Sequence, residues 1–455
     1  MGTVKHVVAV VGAGPAGIYA TDTLAKNGVY VFLFNRDIRP GGLAEYGIYP
    51  DKHRMKAGLR RTFRRIIEHP NVAYYGNVLV AREGDISLDA LQALGMQAIL
   101  VTVGAQGTKW LGIPGEDLIG VYHAKELVYH YNKLPPFSTK TFLIGERVAL
   151  IGVGNVMVDV AHWLIEEKKV QEVIAVARRG PAEVKFDRDE FAAIAANLDL
   201  EALEAEIERV RPVMEAVGQD PEKAKAYILS ALEKASPRTS DTRFRFRFLA
   251  SPHRILGDHQ RRVIGLEVEK TTLERKNGDT KARGVGTTEV LDVDTVIFCI
   301  GDQVDPGLGL PVQWGAYATA PEPRFPVKGE SYEAYDPEAG RPIEGVFVAG
   351  WARRPSRGLV GVARKDGVQG AQAVLQYLAT QPTLDQQEVD KRRHAVDQHL
   401  AQRNKPVVTK EDWLLLLEIE AQEAERRGVP EFKFATVEEM LAAIARAKEL
   451  ALSHK

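Results

Sequence analysis

Apolar residues in this chain follow two rhythms: short unbroken runs that end in glycine, and longer stretches in which they recur every three or four positions. The first run, residues 7–11 (VVAVV), predicts a strand buried on both faces. Gly12-Ala13-Gly14-Pro15-Ala16-Gly17 follows at once. Residues 18–27 have helical spacing and stop at Gly28, a suitable helix terminus, and 29–34 is a second apolar run. The predicted unit is strand, glycine turn, helix, strand. In such a unit the first glycine permits the turn, the second lets backbone approach a pyrophosphate, and the third lets helix pack on strand. The helix N-terminus supplies N–H groups and the positive end of a dipole. A plain tight turn is the alternative, but the setting between strand and helix favours a nucleotide.

The pattern returns later. Residues 147–151 are a strand, Gly152-Val153-Gly154-Asn155-Val156-Met157 is a second glycine turn, 158–168 a helix and 173–177 a strand. Short strands are expected at 72–75, 78–80, 98–103 (ending at Gly104), 244–249, 263–271, 295–300 and 346–351, and helices at 57–68, 125–132 and 362–378. Residues 43–56 have no clear period, 197–236 read as a charged helical excursion, and 315–344 as connecting loop. The tail, 380–452, is helical in part. The expected fold is α/β: two Rossmann-like dinucleotide-binding domains, the second inserted into the first, with a helical C-terminal extension. The expected segments are 1–108 and 311–380 for the first domain, 109–310 for the second and 381–455 for the extension. Two inserted units imply two nucleotides, one of them a flavin.

Composition narrows this picture. At 455 residues the chain exceeds a single ordinary core. A net charge of −1 gives no bias toward nucleic acid. No apolar run reaches membrane-spanning length, and the opening run is too short for a signal peptide, so a cytoplasmic protein is expected. Cys299 is the only cysteine, which excludes an intrachain disulfide, a C-x-x-C pair and a cysteine-ligated metal; no metal is expected. It lies in an apolar run and reads as core. Arg178-Arg179-Gly180 follows the second strand of the second unit, where an NAD site has Asp or Glu on the ribose hydroxyl. A guanidinium pair instead suits the 2′-phosphate of NADP, a solvated pair being the alternative.

Nearly end to end, the chain resembles the adrenodoxin-reductase family, the glutathione-reductase-type ferredoxin–NADP reductases. VGAGPAG, GGLAEYGIYPD, TVGAQG, GVGNVMVDVA, ARRGP, FRFLASP, VFVAGWARRPSRGLVG and the tail DWLLLLEIEAQEAERRG carry the resemblance. It implies FAD on Gly12, Ala13, Gly14, Pro15, Ala16, Gly42, Leu43 and Gly104, and further cofactor contacts at Asn35, Gly350, Trp351, Gly358, Leu359 and Val360. It implies NADP(H) on Gly154, Asn155, Val156, Arg178, Arg179 and Glu190. Trp351 and Gly358 would lie beside the flavin ring, with His53 near it. The implied activity is hydride transfer between NADPH and FAD, followed by one-electron transfers to or from a ferredoxin or similar iron–sulfur carrier. Rival readings are an electron-input subunit like the small subunit of glutamate synthase, and a non-catalytic nucleotide-binding module.

Three residues depart from the family pattern. Asn35 replaces the Glu that holds the FAD ribose. Pro50-Asp51-Lys52-His53 displaces the flavin-side histidine by one position, so that either His53 shifts into the site or Lys52 replaces it. Met157 stands where Ala or Gly is usual and is expected to loosen helix–strand packing. For an acidic carrier, Arg243, Arg245 and Arg247 on one strand face, or Arg60, Arg61, Arg64 and Arg65 on a helix, are docking candidates, with a solvated face as the alternative. Arg353, Arg354, Arg357 and Arg364 lie near the proposed flavin edge and could serve nucleotide, carrier or neither.

Overall fold

The computed structural model describes residues 4–276 and 278–453. The outermost residues of the expected first and last segments, 1–3 and 454–455, lie outside the described residues. The chain forms two compact units. One comprises the residues through Thr108, Tyr131–Thr139 and Gly301 onward; the other comprises Lys109–His130 and Lys140–Ile300.

The first unit is built on a six-stranded sheet in the spatial order Glu333–Asp336, Arg341–Val348, Ala98–Val101, His6–Val11, Val29–Phe34, Val72–Tyr75. All neighbours are parallel except the Glu333–Asp336 edge. The unbroken run 7–11 has a simple cause. Val8 and Val10 point into one core while Val7, Ala9 and Val11 point into the other, so no position faces water. Helix residues Ile18, Leu24, Phe63, Ile66, Ala371 and Val374 fill the Val8 side, and Leu88, Leu91, Val389, Val396 and Leu400 the Val7 side.

The C-terminal extension is therefore part of this unit rather than a segment of its own. Helix Gln386–Ala401 covers one face, while Lys410–Arg427 and Val437–Ser453 bury Trp413, Leu416, Met440 and Ile444 on the other. The excursion into the second unit closes at Ile300, ten residues earlier than expected, because Asp302–Gln303 pairs with Gly107–Thr108 where the chain leaves.

The second unit has a wholly parallel five-stranded sheet: Val121–His123, Thr295–Phe298, Arg147–Ile151, Glu172–Val176, Arg243–Arg247. Beside it lies an antiparallel sheet of Ala250–Gly257, Val263–Lys276 and Asp279–Leu291. The last of these strands (DTKARGVGTTEVL) is mostly exposed and gives no apolar signal, since an antiparallel sheet tolerates a wet face. The helices of the excursion, Leu200–Ala216 and Pro221–Leu229, start at Asp199 and Asp220, whose carboxylates accept from Ala202 N and Lys223 N.

Other expectations shift. Residues 78–80 make a single bridge, Val80 to Ile86, rather than a strand. The loop 315–344 contains the edge strand Glu333–Asp336. The helix expected at 57 starts at His53, and the irregular stretch before it holds a short helix, Leu43–Tyr46. Met157 is fully buried in helix Asn155–Trp163.

Candidate functional site

In the first unit the glycine turn is formed by close contacts. Gly12 has φ +107°, and a Cβ there would lie 2.6 Å from the Thr102 carbonyl oxygen. The Thr102 hydroxyl donates to Gly12 O at 2.8 Å and to Val11 O at 3.1 Å. A Cβ on Gly17 would stand 1.9 Å from Gly12 O, which is how closely the helix approaches the strand. Gly14 differs: a Cβ there would meet nothing within 4 Å. It is the N-cap of helix Pro15–Lys26, with no side chain capping the first N–H groups. Open space beside Gly14 next to uncapped N–H groups at a helix start suits a pyrophosphate.

Gly42 and Leu43 come to this turn from a separate loop. Gly41 N donates to Ala13 O at 2.6 Å, and a Cβ on Gly42 would lie 2.9 Å from the Gly14 Cα. Asn35, at the end of Val29–Phe34, is buried beside them. Its Oδ1 accepts from Ala13 N at 3.2 Å, and its Nδ2 donates to Asp37 O at 2.8 Å and Arg39 O at 2.9 Å. Asn35 thus braces turn and loop together, a donor role that Glu cannot fill. Gly104 is half-buried beyond strand Ala98–Val101, which pairs with the opening strand.

Ala16 is met from the other side. A Cβ on Gly350 would lie 2.7 Å from the Ala16 Cβ, and one on Gly367 2.1 Å from Ala16 O. Gly350 N donates to the Asp366 carboxylate at 2.6 Å, and Asp366 also binds Arg353. Trp351 is half-buried, its indole N–H donating to Arg357 O at 3.2 Å. Gly358 and Leu359 are exposed, and Leu359 is the N-cap of helix Val360–Leu378 with no side-chain cap. This uncapped N-terminus lies on the segment that packs against helix Pro15–Lys26. His53 is exposed at the start of its helix and Lys52 is half-buried, so neither is enclosed. The enclosed cation is Lys56, which donates to Asn132 Oδ1 at 2.7 Å and Ile48 O at 3.3 Å. Burial lowers its pKa to about 8; Lys433 acts the same way, and Glu45 and Glu431 oppose the shift in part.

The second unit repeats the cradle. Gly154 is the N-cap of Asn155–Trp163, without a side-chain cap, and a Cβ there would meet nothing within 4 Å. Asn155 Oδ1 accepts from Asp187 N at 2.7 Å, and Val153 O accepts from Lys185 N at 2.8 Å. Those bonds bring the segment carrying half-buried Glu190 to the turn, where Val156 is exposed. Arg178 is exposed and Arg179 half-buried. Their carbonyls are pinned by the Thr271 hydroxyl at 2.6 Å and Leu249 N at 3.1 Å.

The strand arginines are committed within the fold. Arg243 and Arg245 both bind Glu172, and Arg247 lies between Glu206 and Glu289. Each guanidinium is paired with a carboxylate, so the edge strand offers little unpaired positive charge to an acidic carrier. Arg353 is buried against Asp366 and Glu330, Arg354 also binds Glu330, and Arg364 stacks over Tyr19 at 4.8 Å. Arg60 is bound by Glu45 and Glu431, which leaves Arg61, Arg64 and Arg65 as the exposed members of the helix cluster. Cys299 is held protonated by burial, with Asp159 adding to the effect. Among the described residues no His, Cys, Asp or Glu group is placed to hold a metal, and no helix is long and apolar enough to cross a membrane.

Asp366, Thr102 and Arg39 were not singled out from the sequence. Thr102 alone had a local signal, its place just before Gly104 at the strand end.

Comparisons with known proteins agree with this geometry. Residues 6–329 match the model of the pyridine nucleotide-disulphide oxidoreductase family. A probable ferredoxin/ferredoxin–NADP reductase of Mycobacterium leprae is 30% identical over 98% of this chain and 79% of its own length. The mitochondrial NADPH:adrenodoxin oxidoreductase of Salvelinus fontinalis is 29% identical over 97% of this chain and 91% of its own. The solved structure of Mycobacterium tuberculosis FprA in complex with NADPH superposes with a TM-score of 0.78 at 26% identity, covering 97% of this chain and 99% of that one.

Proposed function

The chain belongs to the pyridine nucleotide-disulphide oxidoreductase family, among its ferredoxin–NADP and adrenodoxin reductases, and from that premise we propose that it is an FAD-dependent NADPH–ferredoxin oxidoreductase. The observation that carries the reading is the pair of open glycine cradles, Gly14 and Gly154, each at an uncapped helix N-terminus in a parallel sheet. Disulphide reduction by an intrachain dithiol is excluded, since Cys299 has no second cysteine to pair with.

When bound, FAD takes two electrons together from NADPH and releases them singly, as a one-electron iron–sulfur carrier requires. The residues of the chain supply position and charge. Gly12 to Ala16, with Gly42 and Leu43, would hold the FAD pyrophosphate, and Asn35 keeps these two segments in register. Gly350 and Trp351, fixed by Asp366 and by Arg357 O, with Gly358 to Val360, would wall the flavin ring and keep water from it. Gly154 to Val156 would hold the NADP pyrophosphate, and Arg178 and Arg179 its 2′-phosphate. A cytoplasmic location accords with the use of NADPH.

The test is NADPH-driven reduction of cytochrome c at low salt, with and without an added ferredoxin. A large rate increase that needs ferredoxin is expected. A flavin bleached by NADPH with no gain from ferredoxin would overturn the carrier assignment.

A further inference from the structure

The loop that meets the first glycine turn is held from its far side by the C-terminal extension. Arg39 begins the loop and is buried, its guanidinium donating to Glu420 of helix Lys410–Arg427, with the Nε contact at 3.1 Å. Glu420 also accepts from Phe434 N at 3.0 Å, which folds the final segment onto the same carboxylate. Arg39 Nη1 donates to the Tyr46 hydroxyl at 3.2 Å. At the other end of the loop, Glu45 is bound by Lys433 at 2.5 Å and by Arg60, which Glu431 also binds. The Lys433 ammonium lies 5.1 Å from the centre of the Tyr46 ring. Gly41 and Gly42, the residues in contact with Ala13 and Gly14, lie between these two anchor points.

We propose that the C-terminal extension is a flavin latch: Glu420 and Lys433 are positioning residues that press the 39–46 loop onto the glycine turn, so that FAD retention depends on residues far down the chain. The inference rests on the assignment of FAD to that turn. Both anchors are buried ion pairs: removing Glu420 leaves the Arg39 guanidinium uncompensated beside the loop, and removing Lys433 leaves Glu45 with Arg60 as its remaining cation. Burial alone would raise the Glu45 pKa; Lys433 and Arg60 instead hold the carboxyl well below the ordinary range, so this anchor stays ionised across the working pH.

The experiment uses the holoprotein and three variants, Glu420→Gln, Lys433→Met and the volume-preserving double change Arg39→Met with Glu420→Met. FAD release after dilution is followed by the rise of free-flavin fluorescence, with thermal stability at saturating FAD and affinity for 2′,5′-ADP measured alongside. Glu420→Gln is expected to release FAD at least about tenfold faster, with 2′,5′-ADP affinity unchanged and release slowed again in the double variant. A lowered melting temperature with unchanged FAD release in both single variants would make the extension merely structural and overturn the latch. A fourth variant, Gly14→Val, tests the assignment of FAD to the turn: a protein that keeps its full FAD content refutes that assignment, a result separable from the first.

Discussion

The Asn35 side-chain oxygen accepts a hydrogen bond from the Ala13 N–H at 3.2 Å, tying the end of the second strand to the turn after the first. The amide nitrogen of Asn35 serves the carbonyls of Asp37 and Arg39. Asn35→Asp keeps the acceptor but turns a carboxylate oxygen toward two carbonyls that have lost their donor. A loss of about 1–3 kcal/mol is expected, with a lower flavin-to-protein ratio. Differential scanning calorimetry and the visible absorbance of purified protein check it, and an unchanged melting temperature would contradict the bracing role.

Arg178 and Arg179 extend past a strand whose end is pinned through their carbonyls, so truncating both side chains leaves the backbone in place. The double change to alanine should raise the KM for NADPH at least about tenfold more than that for NADH, the difference being the 2′-phosphate. Steady-state kinetics with both nucleotides decide it. An equal rise for the two would remove the 2′-phosphate from this site.

Arg247 lies between Glu206 and Glu289 with its side chain largely buried. Arg247→Glu would place three carboxylates together and is expected to cost about 3–5 kcal/mol, seen as a lower urea midpoint. The ratio of ferredoxin to ferricyanide reduction by the folded fraction should stay constant. A selective loss of the ferredoxin rate would restore the strand as a docking face.

Lys56 is an enclosed amine with a pKa lowered from 10.5 to about 8 by burial and by Lys433, with Glu45 and Glu431 opposing in part. Between those two values the unfolded chain binds a proton that the folded chain does not, so stability rises with pH across that window. Below pH 8 both states are protonated, and the cost of the buried charge, about 3 kcal/mol, is fully present. Lys56→Met should therefore raise the melting temperature near pH 7 and flatten the rise from pH 8 to 10. A melting temperature that falls at pH 7 would show that the Asn132 hydrogen bond outweighs the charge penalty.

The two glycine turns and their flanking strands were legible because their causes are local. A buried parallel strand needs an unbroken apolar run, and in the first turn the helix comes so close to the strand that only glycine fits where Gly17 meets Gly12 O, so the signals fall within a dozen neighbouring residues. The strand Asp279–Leu291 was not legible, because a wet antiparallel strand can be stabilised by backbone pairing with little apolar signal. His53 drew attention through its motif, yet the enclosed cation is Lys56, one helical turn further on. Adjacency to a motif does not say which side of a helix faces inward.

The sequence by itself determined the α/β architecture, the two glycine turns and the arginine pair after the second unit's strand. Each is written in residue types a few positions apart and needs only strand and helix geometry to be read. The tertiary structure alone decided what neutralises Arg243, Arg245 and Arg247, what Asn35 does in place of Glu, and that the tail belongs to the first unit. It alone joined Arg39 to Glu420 across 381 positions. Burial and ion pairing depend on which distant segments meet, and composition records how many charges a chain carries but not which of them end up opposite one another.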